Sequence, residues 1–277
     1  MRALHVAADL LREAGARKWF LGLAVAITLL LLALLGGLRL EVVDGALAAT
    51  RLFGKALFTP IRAADIALRP VFIAASYLIF YGGMAFGLIA CSDFAPALLS
   101  PGRIEHLLAL PVRRWELLAG TFLGVLLLGL LGATYGAGGL LVILGFKTGV
   151  WTWHPLLAAA LAAVGFATVY AGMLAAAVFV RSAAVSAAVG ALLLVSGILA
   201  GNRRALLTTM SEGPGQLVFA AWTRVMPPLS TLAETAADVA AGSPVAAGQV
   251  GTVVGECALF TAGALAVAVW RFEQRDF

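Results

Sequence analysis

The sequence predicts an all-α integral membrane protein whose chain crosses the bilayer six times. Three observations carry that expectation. Of 277 residues, 62% are apolar and only 12% charged, where a soluble domain carries about 25% charge, so a water-soluble globule is excluded. Six apolar stretches reach the length of about 20 residues that a helix needs to cross a hydrocarbon core of about 30 Å. Glu256 is the only charged residue inside any of them, and helices satisfy the backbone where lipid cannot.

The chain opens on an amphipathic pattern. At 100° per residue, Leu4, Val6, Ala7, Ala8, Leu10, Leu11 and Ala14 share one side while His5, Asp9, Arg12 and Glu13 share the other, as in a helix lying in the membrane interface. Arg17, Lys18 and Trp19 follow, two cations and an indole suited to headgroup depth. The first span, 19–38, has near-spanning length and no small-residue cleavage pattern behind it, so it is not expected to be removed as a signal peptide. Beyond it, Ala46, Ala49, Phe53, Ala56 and Leu57 follow helical spacing with Asp44, Arg51 and Lys55 opposite, which predicts a helix resting on the outer surface. Its basic residues face solvent or headgroups, or receive an anionic substrate.

The second span, 70–91, leads into the most informative connection, 92–116. Ser100 suits a helix N-cap, Pro101 a first helical residue and Pro111 a stop. Ile104, Leu107 and Leu108 then form a short apolar stripe beside Arg103 and Glu105. The run Gly102-Arg-Ile-Glu105-His-Leu107-Leu108-Ala-Leu-Pro111-Val-Arg113-Arg114-Trp-Glu116-Leu-Leu-Ala-Gly120 resembles the segment before the third span of type 2 ABC exporter permeases. Their pattern is Gly-Thr-Leu-Glu-x-Leu-Leu-x-x-Pro-Val-x-Arg-x-Glu-Leu-Leu-x-Gly-Lys; Arg103 stands here for Thr and Thr121 for Lys.

The amphipathic N-terminus, six spans, a large outer region before the last span and a short basic C-terminus extend the likeness. The resemblance implies that Gly102 to Arg114 form a coupling helix docking in a groove of a separate cytosolic ATPase. Gly102, Ile104, Glu105, Leu107, Leu108, Pro111, Arg113, Arg114 and Glu116 would serve that contact. It further implies a second permease copy or a paralogue as dimer partner, a lipid environment in the cytoplasmic (inner) membrane, and export as the direction of transport.

The third span, 117–146, is long enough that it should tilt or break at Gly138-Gly139. The fourth, 155–180, meets the fifth, 183–201, at the Arg181-Ser182 turn. In the outer segment 202–247, Thr231 and Glu234 suit a capping box for a helix with Leu232, Ala233, Ala236, Val239 and Ala240 on its apolar face, closed by Gly242 and Pro244. That helix too is expected to rest on the outer surface. The sixth span, 248–270, holds Glu256, whose carboxylate belongs on a pathway or between helices because lipid penalises a bare charge. Small-xxx-small pairs at Gly83/Gly87, Gly120/Gly124, Gly132/Gly136 and Gly251/Gly255 suit close helix packing within the chain, or a dimer face.

Orientation follows from Lys and Arg at the membrane edges. The side carrying both termini has 10 basic residues in 52, the other 9 in 85, which places both termini in the cytoplasm. The net charge of +5 is too scattered for a nucleic-acid footprint and suits anionic lipid instead. Cys91 and Cys257 lack metal-ligand spacing, and His5, His106 and His154 fall in separate segments, so neither metal nor cofactor is expected. No Walker pattern occurs, since Gly54-Lys55 is preceded by Ala49 and followed by Ala56 where the motif needs Gly and Ser or Thr. The chain is therefore not expected to be an enzyme, and ATP hydrolysis belongs to a partner. No span carries a serine-protease motif. An ion-coupled secondary transporter using Glu256, or a membrane assembly or scaffolding subunit, are the alternative functions. The whole of 1–277 is expected to form one membrane domain.

Overall fold

The computed structural model describes residues 2–16, 18–43, 46–52, 55–58, 62–100, 102, 104, 113–211 and 213–274, and of 2–3, 38–65 and 67 the backbone only. Six helices are long and apolar enough to cross a membrane: Lys18–Gly37, Leu68–Leu98, Arg114–Thr148, His154–Val180, Ala183–Gly201 and Ala247–Glu273. The membrane part is thus all-α with six spans, as the hydropathy requires.

The fourth span is the core of the bundle. Its alanines and glycines admit neighbours on every side, and Phe166 locks it to two of them. The Phe166 ring fills the space where Gly87 of the second span and Gly129 of the third lack a side chain; a Cβ on Gly129 would stand 2.6 Å from Phe166 Cδ1, and one on Gly87 would overlap the ring edge. Ser186 donates to the Met173 carbonyl at 3.1 Å and Thr261 to Thr168 at 3.2 Å, tying in the fifth and sixth spans. Arg181 ends the fourth span at φ 54°, and the Ser182 hydroxyl accepts the Val185 N–H to start the fifth.

The N-terminal helix, Arg2–Ala16, packs along the third span. Ala7, Leu10 and Ala14 are buried, and a Cβ on Gly124 would meet the Ala7 backbone at 3.2 Å. Leu4 and Ala8, on the apolar side of the expected helix, remain exposed, so the helix buries a narrow ridge against protein. The first span buries no residue. It leans on the third through Leu31 against Gly139 and a 2.7 Å hydrogen bond between Thr28 and Tyr135 hydroxyls, and on the second through Phe20, whose ring sits 6.1 Å from both Phe86 and Phe94.

Two expectations need correction, and a third is narrowed to one of its alternatives. The first outer connection forms a small antiparallel sheet, not a helix: β1 (Leu38–Val43), β2 (Ala46–Leu52) and β3 (Lys55–Phe58) are ordered in sequence, and β4 (Arg62–Ala63) also pairs with β2. Alternation in Leu38-Arg39-Leu40-Glu41-Val42 outweighs the weak helical spacing of alanines, and Gly45, Gly54 and Pro60 punctuate the runs. Of the two outcomes expected for the third span, a tilt or a break at Gly138-Gly139, the break does not occur: it is one helix of 35 residues, about 52 Å long, and Gly139 admits Leu31.

The other correction concerns the segment before the sixth span. Helices Arg203–Thr209, Pro214–Val225 and Leu229–Ala240 fill it, and the last is wedged among the second, fourth and fifth spans, with Leu229, Leu232, Ala233, Ala236, Ala237 and Ala240 buried. Thr231 and Glu234 form no capping box, because the helix starts earlier, at Leu229, and Thr231 donates to the Gly201 carbonyl at 3.4 Å. Its end is as expected: Gly242 at φ 67° and the bonds Gly242 to Val239 and Ser243 to Asp238, both 3.0 Å, make a Schellman close.

Candidate functional site

On the side that carries both termini, the connection between the second and third spans is nailed to the bundle by Ile104. That side chain is 2% exposed and sits in a cluster with Ala95, Leu99, Leu117 and Leu118, closed by Leu174 and Val178 of the fourth span and Phe272 of the sixth. A load applied to the connection therefore reaches three spans at once. The Ser100 hydroxyl donates back to the Ala97 carbonyl at 2.8 Å, its own carbonyl accepts the Ile104 N–H at 3.1 Å, Gly102 is left-handed at φ 81°, and Ile104 is helical. Glu105, Leu107, Leu108 and Pro111 lie outside the described residues.

The three remaining residues of the run organise the head of the third span. Arg113 is extended, and its N–H donates to Glu116 Oε2 at 2.9 Å; the carboxylate thus caps the helix and faces its positive dipole end. Arg114 Nη1 donates to the Glu273 carbonyl at 3.1 Å, satisfying an orphan acceptor at the end of the sixth span. Two residues before Glu273, the Arg271 guanidinium lies 5.6 Å from the centre of the Phe179 ring, a cation–π bridge from the sixth span to the fourth.

Glu256 does not lie between helices of this chain. It is exposed on the outward face of the sixth span, while Val253 and Cys257 point inward. Gly251 and Gly255 beside it have no atom within 4 Å of a built Cβ, so among the described residues this small-residue pair packs against nothing. Gly87 and Gly124, in contrast, are contact points.

On the opposite side, the wedged helix Leu229–Ala240 is clasped to the end of the fifth span. Asn202 Nδ2 donates to Ser230 Oγ at 3.1 Å and to the Ile198 carbonyl at 3.0 Å, and Ser230 donates to the same carbonyl at 3.1 Å. The exposed edge of the wedge carries Glu234 and Asp238, in electrostatic reach of the half-buried Tyr77 of the second span. Tyr81 stacks on Tyr77, ring centres 6.2 Å apart and planes 6° from parallel. A π-helical turn, Leu78–Gly82, interrupts the second span there. Of these four residues only Glu234 stood out in the sequence, as a helix cap, although both pairs have the i, i+4 spacing that puts side chains on one helix face. What was missing was the knowledge that the two helices adjoin.

A family model described as ABC-2 family transporter protein matches residues 11–277, nearly the whole chain. No curated protein matches it significantly.

Proposed function

The chain belongs to the ABC-2 family of transporter proteins, a multi-pass membrane permease subunit of an ABC transporter, and from that premise we propose that it is the permease of an ATP-driven exporter. A separate cytosolic ABC ATPase drives it, and a second copy or a paralogue completes the permease. The chain forms one membrane domain of the cytoplasmic membrane with both termini in the cytoplasm, and the connection 100–114 receives the ATPase. Glu256, on an open face, contributes to the pathway or to the contact between permease chains.

The observation that carries the mechanism is the burial of Ile104 where the third, fourth and sixth spans converge. Closure of the ATPases around ATP presses the connection toward the membrane. Ile104 passes the load into the cluster, and the Arg114 to Glu273 hydrogen bond makes the third and sixth spans move together. The equilibrium between inward- and outward-open arrangements then shifts by the difference in ATPase contact between them.

Affinity purification of the detergent-solubilised chain from its native membrane, followed by an ATPase assay, tests this function. A stoichiometric ATPase that is lost when residues 100–114 are altered supports it. A folded chain that comes out alone, without ATPase activity, overturns it.

A further inference from the structure

The first outer connection leaves one strand edge unused. β2 is flanked by β1 on one side and by β3 and β4 on the other, and among the described residues no strand pairs with the second edge of β1. An edge strand offers a row of unpaired backbone N–H and C=O groups, a template for another chain unless something blunts it. The stretch Leu38-Arg39-Leu40-Glu41-Val42 holds no proline, and the irregularity between Glu41 and Val42 places its extra residue, Ala48, on β2. The free edge of β1 therefore stays regular.

The residues along that edge are self-complementary. Antiparallel pairing with β1 of a second copy, centred on Leu40, sets Leu38 opposite Val42, Leu40 opposite Leu40 and Arg39 opposite Glu41. Alternation puts Leu38, Leu40 and Val42 on one face and Arg39 and Glu41 on the other. Apolar residues thus meet on one face, and opposite charges meet twice on the other, both favourable as cross-strand pairs. A two-fold that keeps the faces aligned must pass through a residue, and centring it on Arg39 or Glu41 opposes like charges instead. The charges select one register.

The course of the strand fits a partner in the same bilayer. β1 begins at Leu38, directly after the first span ends at Gly37. At its other end Val43 pairs with Ala46 and Ala46 with Ala63, and Ala64 opens the helix that leads into the second span. Val43 thus stands two strand spacings, about 10 Å, from that entry, so β1 runs across the outer end of the bundle from one span toward the next. Two copies in one bilayer with the same side outward are related by a two-fold along the membrane normal. Such an axis makes strands that lie across the membrane antiparallel. The first span, from which β1 emerges, buries no residue, so the strand starts at the rim of the bundle.

We infer that β1 is a contact strand between two copies of this chain, pairing antiparallel about Leu40 and joining their outer sheets into one across the two-fold. The inference deepens the permease function and rests on it only in taking the partner to be a second permease chain.

Disulfide trapping of the full chain in its native membrane tests this contact, because a residue on the two-fold opposes itself. Opposed Cα atoms in an antiparallel pair lie about 4.5–5.5 Å apart, within reach of a disulfide. Under mild oxidation Leu40→Cys should trap a dimer that a reductant dissolves. Wild type, whose Cys91 and Cys257 are buried, and Ala49→Cys on the central strand should not. Arg39→Cys and Glu41→Cys should each trap little alone, and a mixed dimer when differently tagged chains are coexpressed. In the Leu40→Cys chain, Arg39→Glu should lower the yield about fivefold or more, because two attractive charge pairs become repulsive. Adding Glu41→Arg should restore it, which excludes misfolding as the cause of the loss. No trapping at residue 40, equal trapping at residues 40 and 49, a yield indifferent to Arg39→Glu, or a loss that the swap leaves in place overturns the contact. Trapping at residue 40 in a chain that co-purifies with no ATPase keeps the contact and removes the permease function; a stoichiometric ATPase with a chain that never traps there does the reverse.

Discussion

Arg114, the first residue of the third span, donates from Nη1 to the main-chain carbonyl of Glu273, the last residue of the sixth, at 3.1 Å. A guanidinium at a helix C-terminus satisfies an orphan carbonyl and opposes the negative dipole end, so one side chain locks two spans where the connection enters the bundle. Arg114→Gln keeps donors but loses the charge and the reach. It should cost only about 0.3–1 kcal/mol of stability and uncouple ATP hydrolysis from transport. Transport per ATP in reconstituted vesicles, beside a melting curve, separates the two effects; wild-type coupling would exclude the lock from the mechanism.

Ile104 should be the costliest residue of the connection. Ile104→Ala removes side-chain volume from a closed cluster and should destabilise the chain by about 2 kcal/mol or more. Ile104→Val, which keeps most contacts, should cost about 1 kcal/mol. If ATPase stimulation by the permease falls in the same order in material still folded by melting, load passes through this side chain. A flat series would place the load path elsewhere in the connection.

Phe166 is pinned from two sides, which makes Gly87 and Gly129 sensitive to a single methyl. Gly87→Ala should cost about 1–3 kcal/mol through overpacking, since the ring it strikes has Gly129 behind it. Gly255→Ala, where nothing lies within 4 Å, should not lower the melting temperature of the isolated chain and should raise it slightly, because alanine favours the helix. Phe166→Leu combined with Gly87→Ala should recover part of the loss, and no recovery would mean that the clash lies elsewhere.

Much of this fold was legible because hydropathy alone decides what lipid accepts. The fifth span, 183–201, matches its predicted bounds, and the others shift by a few residues at each end except the second, which continues past Cys91 to Leu98. What was not legible depends on distant partners. Gly138-Gly139 carries the sign of a break, yet Leu31 packs there and the helix continues. Thr231 and Glu234 have capping spacing, yet Thr231 bonds to Gly201. The alanines of 232–240 suit a weakly amphipathic surface helix or a closely packed wedge, and only the glycines and small residues facing them decide for the wedge. The coupling run was legible as a motif, but the anchorage of Ile104 needed the fourth and sixth spans in place.

The turn between the fourth and fifth spans stores strain that can be released. Arg181 is the only non-glycine residue at positive φ among the described residues, a conformation that costs an L-residue about 1–2 kcal/mol. Comparing Arg181→Gly with Arg181→Ala isolates the backbone, because both remove the same side-chain contacts. The glycine variant should be the more stable by about 1 kcal/mol, read as the difference between their melting temperatures in detergent. Equal stability would mean that the turn relaxes away from φ 54° when the arginine is gone.

Glu256 gives the sharpest functional test, because among the described residues no hydrogen bond or ion pair compensates its carboxylate. Glu256→Gln keeps shape and hydrogen-bonding capacity while removing the charge that lipid penalises. A carboxylate that serves the pathway or the contact between permease chains is there for its charge. The variant should therefore melt no lower than wild type, yet transport at least about tenfold more slowly, a loss of about 1.4 kcal/mol in the transport barrier. Transport unchanged in vesicles containing the complete transporter would remove Glu256 from both roles. The same measurement with the energy source switched from ATP to an ion gradient discriminates the rival: a secondary transporter would need Glu256 for gradient-driven flux, and an ATP-driven permease would show no such flux with or without it.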